Sequence, residues 1–467
     1  MKAIRPLLAL TAISLAVSAC SVPPKTTPQN IRPNLPNESY ELDQTPQSDA
    51  KSVAAMRWQD FYSDDKLKTL IKLGLHHNKD LKNAVLAIQS AKAKYQITDA
   101  NSRPTLGINS SANHGVTPPD ANPHTIYQVG LAVPSYEIDL WGKVASSKAA
   151  ALEDYLSTAA AKDAVQISLI ANIAETYVNL SYALAQQHLA NETLKTREKA
   201  FDITKKRFEA GIDARTSSLQ AESSLENARL AVYQSQTAIL RYKNALQLLV
   251  GTPIPNELMP VIAVGNVTSP SVFSAGLPSE LLTYRPDIIQ AEHRLKSAGA
   301  NIGVARAVYF PSIRLASNIG YSSTSLDNLF SSAALGWSFM PSIHLPIFDG
   351  KARQANYEVA KIAEQQALTD YEKSIQTAFK EVSDVLASRA TIEDQLKSGY
   401  KLQSNLQQTH LIAYARFRAG VDNYLNVLDA ERSLFTNQQQ LLQLEEQKSI
   451  SQIRLYRALG GGSTLVQ

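Results

Sequence analysis

Four segments of the chain alternate between apolar and small or polar side chains. In 104–113, Leu106, Ile108 and Ala112 alternate with Thr105, Gly107, Asn109 and Ser111. In 125–139, Tyr127, Val129, Leu131 and Val133 share one side, and Gln128, Gly130 and Ala132 the other. A third segment sets Ile313, Leu315, Ile319 and Tyr321 against Arg314, Asn318 and Ser322. A fourth sets Leu335, Trp337, Phe339 and Ile343 against Gly336, Ser338 and Ser342. A period of two predicts strands, near 104–139 and 311–348. One oily, partly aromatic face and one polar face predict a sheet between lipid and water, with Leu131, Val133, Leu315, Trp337 and Phe339 facing lipid. A soluble sandwich shows the same alternation, but these strands form hairpins that interrupt very long helices and have no second sheet to pack on. Trp141 and Phe348 end the hairpins where an interfacial aromatic belt would lie, or where core aromatics would.

The rest of the chain reads as helix. A first helix is predicted over roughly 64–100 and 279–307, ending before Pro104 and Pro311. The stretch 143–210 contains no Gly or Pro, and 351–419 contains Gly399 alone. Return helices are predicted over 212–250 and 421–459. At about 1.5 Å per residue, the longest stretches would reach roughly 100 Å and must be covered by other helices. Their Ala, Leu, Gln and Glu content also suits a purely structural antiparallel coiled coil. The Pro-rich tracts 21–50 and 251–286 predict extended or irregular chain.

These elements come in two matching sets, 207 to 209 residues apart. Asp80-Leu81 matches Asp287-Ile288, Pro104 matches Pro311, and Gly142 matches Gly350. Arg207-Phe208-Glu209-Ala210-Gly211-Ile212-Asp213 matches Arg416-Phe417-Arg418-Ala419-Gly420-Val421-Asp422, and Gly251 matches Gly460. So long a period means two structural halves, 61–260 and 261–467, not a solenoid.

The N-terminus adds an address. Lys2 and Arg5 precede the apolar run Leu7 to Val17, and Val17-Ser18-Ala19 leads into Cys20. Residues 1–19 therefore read as a signal peptide. Cys20 is the single cysteine of 467 residues, which excludes internal disulfides and cysteine–metal clusters. The segment 20–60 reads as an extended linker. The formal charge of +4 falls to about +2 once Lys2 and Arg5 leave, too little for a nucleic-acid partner. No apolar run is long enough for a transmembrane helix, so a spanning chain must use a closed barrel. Four strands cannot close one, since the smallest have about eight. Three copies supply twelve, which predicts a homotrimer.

Several stretches resemble the TolC superfamily, and within it the NodT-like lipoprotein branch of outer-membrane factors typified by OprM and AdeK. They are Tyr136-Glu137-Ile138-Asp139-Leu140-Trp141-Gly142, Leu345-Pro346-Ile347-Phe348-Asp349-Gly350, Gly276-Leu277-Pro278 through Arg285-Pro286-Asp287, Ala305-Arg306-Ala307-Val308-Tyr309-Phe310-Pro311-Ser312 and Ala419 through Ala430. The Cys20 box is similar to a bacterial lipobox, which implies cleavage and acylation there. Ser21, where Asp would suggest inner-membrane retention, is compatible with the outer membrane. The resemblance covers essentially the whole mature chain. It implies a mixed α + β membrane protein, with a twelve-stranded transmembrane barrel and a twelve-helix barrel through the periplasm. It further implies a periplasmic adaptor (membrane fusion protein), an inner-membrane transporter of the resistance-nodulation-division (RND) class, drugs and toxic solutes as cargo, and no cofactor beyond lipid on Cys20.

Gly211 and Gly420 are expected to stop the long helices at the periplasmic tip. Asp213 and Asp422 follow them, either as N-caps of the return helices or as members of an acidic ring at a narrow entrance. The resemblance places the second-half turn nearer the axis, which favours Asp422. Tyr424 and Leu425 would narrow the aperture, or simply pack between helices. Arg207, Glu209, Arg416 and Arg418 are candidate adaptor contacts. The eight histidines are scattered, and His76-His77 is expected to diverge on a helix. No hydrolase, metalloprotease or phosphate-loop motif occurs, so no enzyme is expected. A type I protein-secretion outlet and a lipid-anchored scaffold are the competing readings.

Overall fold

A computed structural model describes residues 56–116, 123–265, 267–269 and 281–462. Cys20, the signal segment and most of the 20–60 linker lie outside the described residues. In chain order the elements are α1 (Trp58–Phe61), α2 (Asp65–His77), α3 (Lys79–Ala100), β1 (Gly107–Gly115), β2 (His124–Ile138), α4 (Lys143–Glu209) and α5 (Arg215–Val250), then α6 (Leu281–Tyr284), α7 (Pro286–Ala307), β3 (Ser312–Ser323), β4 (Leu335–His344), α8 (Ala352–Arg418) and α9 (Tyr424–Ala458). The two long helices, α4 and α8, are 67 residues each. Two compact units emerge, and neither is one sequence half. Of the described residues, one contains those of 87–159 and 290–372, and the other those of 56–86, 160–289 and 373–462. Each unit thus takes equivalent pieces of both repeats.

In the first unit the two hairpins are not isolated. They join edge to edge into one antiparallel sheet in the order β1-β2-β3-β4. The register carries Ile108, Leu131, Ile319 and Trp337 across the sheet as one row, with Val133, Ser317 and Phe339 in the next row of that face. The opposite face carries Asn109, Gly130, Gly320 and Gly336, then Ala132, Asn318 and Ser338. A bulge interrupts β2 between Val133 and Tyr136. The extra residue reverses the phase, so Tyr136 and Ile138 join the apolar face while Glu137 lies opposite Arg314 on the polar one.

The second unit packs α2, α4, α5 and α9 around Leu67, Leu70, Ile71, Ile173, Tyr177, Leu180 and Leu246, all fully buried. Each such side chain contributes about 1.5–3 kcal/mol. Phe61 stacks on Tyr456 at 4.0 Å, and the Tyr456 hydroxyl donates to the Met56 carbonyl at 2.7 Å.

The predicted first helix of each repeat is in fact two helices. At the first break Asn78 is extended, accepts from the Leu81 amide at 2.9 Å and donates to the Leu249 carbonyl at 2.9 Å. At the second, Pro286 forces Arg285 out of helical geometry. The Arg285 guanidinium then donates to the Ala458 carbonyl at 2.7 Å, to Glu381 at 2.8 Å and to both oxygens of Asp287. Asn78 and Arg285 hold equivalent carbonyls at the ends of equivalent helices, α5 and α9. Gly251 and Gly460 follow those helices with φ of 76° and 82°. A Cβ would lie 2.6 Å from the His77 carbonyl oxygen in one case and 2.5 Å from that of Tyr284 in the other.

Candidate functional site

The sheet and the two helical turns hold the residues of interest. On the apolar face Trp337 and Phe339 are 77% and 57% exposed, and Leu131 and Ile319 are also exposed. Val133 and Leu315 share that face but are half-buried. Nothing among the described residues covers this oily surface, and both edge strands, β1 and β4, leave backbone groups unpaired on their outer sides. No helix among the described residues is long and apolar enough to cross a membrane.

The two hairpin-end aromatics differ. Trp141 is half-buried, stacks on Phe310 at 4.8 Å and donates its indole N–H to the Pro311 carbonyl at 2.7 Å. Phe348 is 90% exposed. Internal packing accounts for Trp141, whereas Phe348 has no such explanation.

The turns after α4 and α8 are near copies. Gly211 and Gly420 adopt φ of 75° and 74°, a conformation glycine reaches without a Cβ clash. The Ile212 and Val421 amides then donate back to the Arg207 and Arg416 carbonyls, and the glycine amides to Phe208 and Phe417. This pairing is the Schellman stop of a helix. Neither aspartate caps the return helix. The N-caps are Ala214 and Asn423, without side-chain cap bonds. Asp213 instead accepts from Arg207 at 2.8 and 3.0 Å, and Asp422 from Arg416 at 2.7 Å. The Arg416 guanidinium holds the Asp422 carboxyl below the usual carboxylate range. Of the two readings open for these aspartates, capping is therefore excluded, and Arg207 and Arg416 are engaged in ion pairs. Arg207 also lies over the Phe417 ring at 5.1 Å.

Tyr424 is 2% exposed and belongs to a cluster with Ala221, Phe417, Val427 and Leu428. It does not line an opening of this protomer, and burial pushes its phenol up to about 12. Leu425 is exposed and, with Leu219 and Phe435, lines a groove of about 530 Å³ along α4, α5 and α9. A buried ion cluster nearby was not legible in the sequence. Arg197 of α4 pairs with Glu431 of α9, which also meets His410 of α8 at 3.3 Å. These residues come from three helices, and no spacing rule links them. The rings of His76 and His77 approach to 4.5 Å rather than diverging, at the last turn of α2.

A family model described as "outer membrane efflux protein" matches residues 70–252 and again 277–461. The chain is 37% identical over 454 residues to the cation efflux system protein CusC of Escherichia coli, covering 96% of this chain and 97% of that one. It is 38% identical over 463 residues to the toluene efflux pump outer membrane protein TtgF of Pseudomonas putida, covering 97% and 96%. Among solved structures, the open state of the Neisseria gonorrhoeae MtrE outer membrane channel superposes with a TM-score of 0.83 at 35% identity, covering 92% of this chain and 97% of that one.

Proposed function

The chain belongs to the outer membrane efflux protein family, and on that premise we propose that three copies form the exit duct of a tripartite pump. It is an outer-membrane efflux channel with an α-helical barrel and a β domain. The observation that carries the trimer is the four-stranded sheet with one oily face, one polar face and two open edges. A hydrocarbon environment tolerates no unpaired edge, so β4 must pair with β1 of the next copy until the barrel closes. Three copies give twelve strands, enough to enclose a wet lumen. The oily face meets lipid, and the aromatics near its end sit at the interface, with Phe348 the more exposed.

In this reading the helical turns form the periplasmic tip, where an adaptor docks and an RND transporter supplies the energy. Cargo would be drugs and other toxic solutes, in keeping with the cation and toluene named for two relatives. Cys20 would carry acyl chains that hold the protein to the membrane. The Arg416–Asp422 turn is the proposed constriction, adaptor binding spreading the inner helices. Planar-bilayer recording of wild type and Asp422→Ala tests this. A change in single-channel conductance and cation preference is expected, and identical values would sink the gate. Absence of any wild-type channel, or a purified species that is not trimeric, would sink the duct.

A further inference from the structure

At the end of the sheet where β2 leads into α4, a joint ties the two repeats together. Trp141, just past β2, stacks on Phe310 at 4.8 Å and donates to the Pro311 carbonyl at 2.7 Å, immediately before β3 begins. It holds β2 and β3 side by side where their own pairing stops at Ile138 and Ile313. Trp141, Phe310 and Pro311 are all half-buried there.

The duplication supplies both parts of this joint a second time, on opposite edges of the sheet. Phe348 follows β4 as Trp141 follows β2, at a spacing of 207 residues. Arg103-Pro104 precedes β1 as Phe310-Pro311 precedes β3, at the same spacing. Within one copy these second parts do not meet, because β1 and β4 are the outer strands, three inter-strand spacings or about 14 Å apart. Both parts are open. Phe348 is 90% exposed, and Pro104, Thr105 and Leu106 are exposed. The Arg103 side chain donates to Asp99 at 3.0 Å and is still 74% exposed.

We propose that Phe348 docks on Arg103 and Pro104 of the next copy, and so repeats between copies the joint that Trp141 makes within one. This rests on the duct reading, in which β4 pairs with β1 of the next copy. That pairing sets the two open parts side by side, as β2 and β3 set Trp141 beside Phe310. Where Phe310 gives an aromatic stack, Arg103 gives a guanidinium over a ring face, an attraction that grows as water is excluded. The arginine also keeps its edge hydrated before assembly, while its stem offers apolar surface to the ring afterwards.

Cross-linking in outer membranes tests the contact. Phe348→Cys combined with Arg103→Cys in the full-length protein, treated with a short bismaleimide, should give covalent dimers and trimers on denaturing gels. Each single substitution should give neither, and so controls for Cys20, the one native cysteine. A trimeric, conducting double variant without linked products would overturn the proposal. If the cysteine pair does not assemble, the dissociation temperature of the trimer in detergent decides. Phe348→Ala and Arg103→Ala should each lower it by several degrees, and the second change should add little once the first is made. Additive shifts, as expected of a ring held only by lipid, would overturn the proposal, and so would no shift in Phe348→Ala. A wild-type protein that is not trimeric would instead overturn the duct reading.

Discussion

Replacing the four glycines that follow the long and return helices by alanine should separate two costs that the duplication sets side by side. Gly211 and Gly420 have positive φ but no heavy atom within 4 Å of a built Cβ. Their substitution costs the left-handed penalty, about 1–2 kcal/mol. Gly251 and Gly460 pay the same penalty and also meet backbone. At Gly460 a Cβ would lie 2.5 Å from the Tyr284 oxygen, 2.8 Å from its carbon and 3.2 Å from the Arg285 Cα. Normal contact requires a shift of roughly 1 Å, and overpacking of this kind adds about 1–3 kcal/mol. The shift also pulls on Arg285, whose bond to the Ala458 carbonyl is 2.7 Å. Losing that bond adds about 1 kcal/mol. Gly460→Ala should therefore cost about 2 kcal/mol or more beyond Gly420→Ala, and Gly251→Ala should likewise exceed Gly211→Ala. Thermal melts of the detergent-purified variants, followed by circular dichroism at 222 nm, give the ranking. Equal midpoints for all four would refute the idea that these helix ends are held by close backbone contact.

Three further outcomes follow from other sites. Arg285→Ala should lower the melting midpoint, losing about 2 kcal/mol, because the Ala458 carbonyl loses its buried donor while the half-exposed Asp287 and Glu381 recover water; Arg285→Lys should rescue less than half, lacking the guanidinium fork. Trp337→Arg should block assembly into the outer membrane, costing about 2–4 kcal/mol at mid-bilayer, while Ser338→Arg on the other face should assemble, as read by the heat-modifiable band on gels. Burial pushes Glu446 from 4.5 up to about 7, so its penalty is absent below about pH 4.5, grows between the two values and is complete above about 7. Glu446→Gln should accordingly raise the melting midpoint at pH 8 and leave it nearly unchanged at pH 4.

Much of this molecule is written in local pattern. The strands, the two long helices and the Gly211 and Gly420 stops follow from period-two alternation, from runs free of Gly and Pro, and from glycine's access to positive φ. These are properties of neighbouring residues, and neighbours are what a sequence displays. The duplication was legible for the same reason, since equal spacing needs no folding to be seen.

What the sequence left undecided involves distant partners. The helix break at Arg285 could have been read from Pro286, but the one at Asn78 depends on the Leu249 carbonyl, 171 residues away. For the aspartates after the glycines, capping is the one use that a local window suggests, beside a ring that only an assembly could form. The fold instead turns them back onto Arg207 and Arg416. Tyr424 became a core residue once α5 and α8 closed over it, and Arg197 met Glu431 and His410 in the same way. The β2 bulge, which the alternation did not foreshadow, moves Glu137 to the face of Arg314. Local preference determined where helices and strands run. Tertiary packing decided which charges face one another, because burial and pairing depend on chain segments that no local window contains.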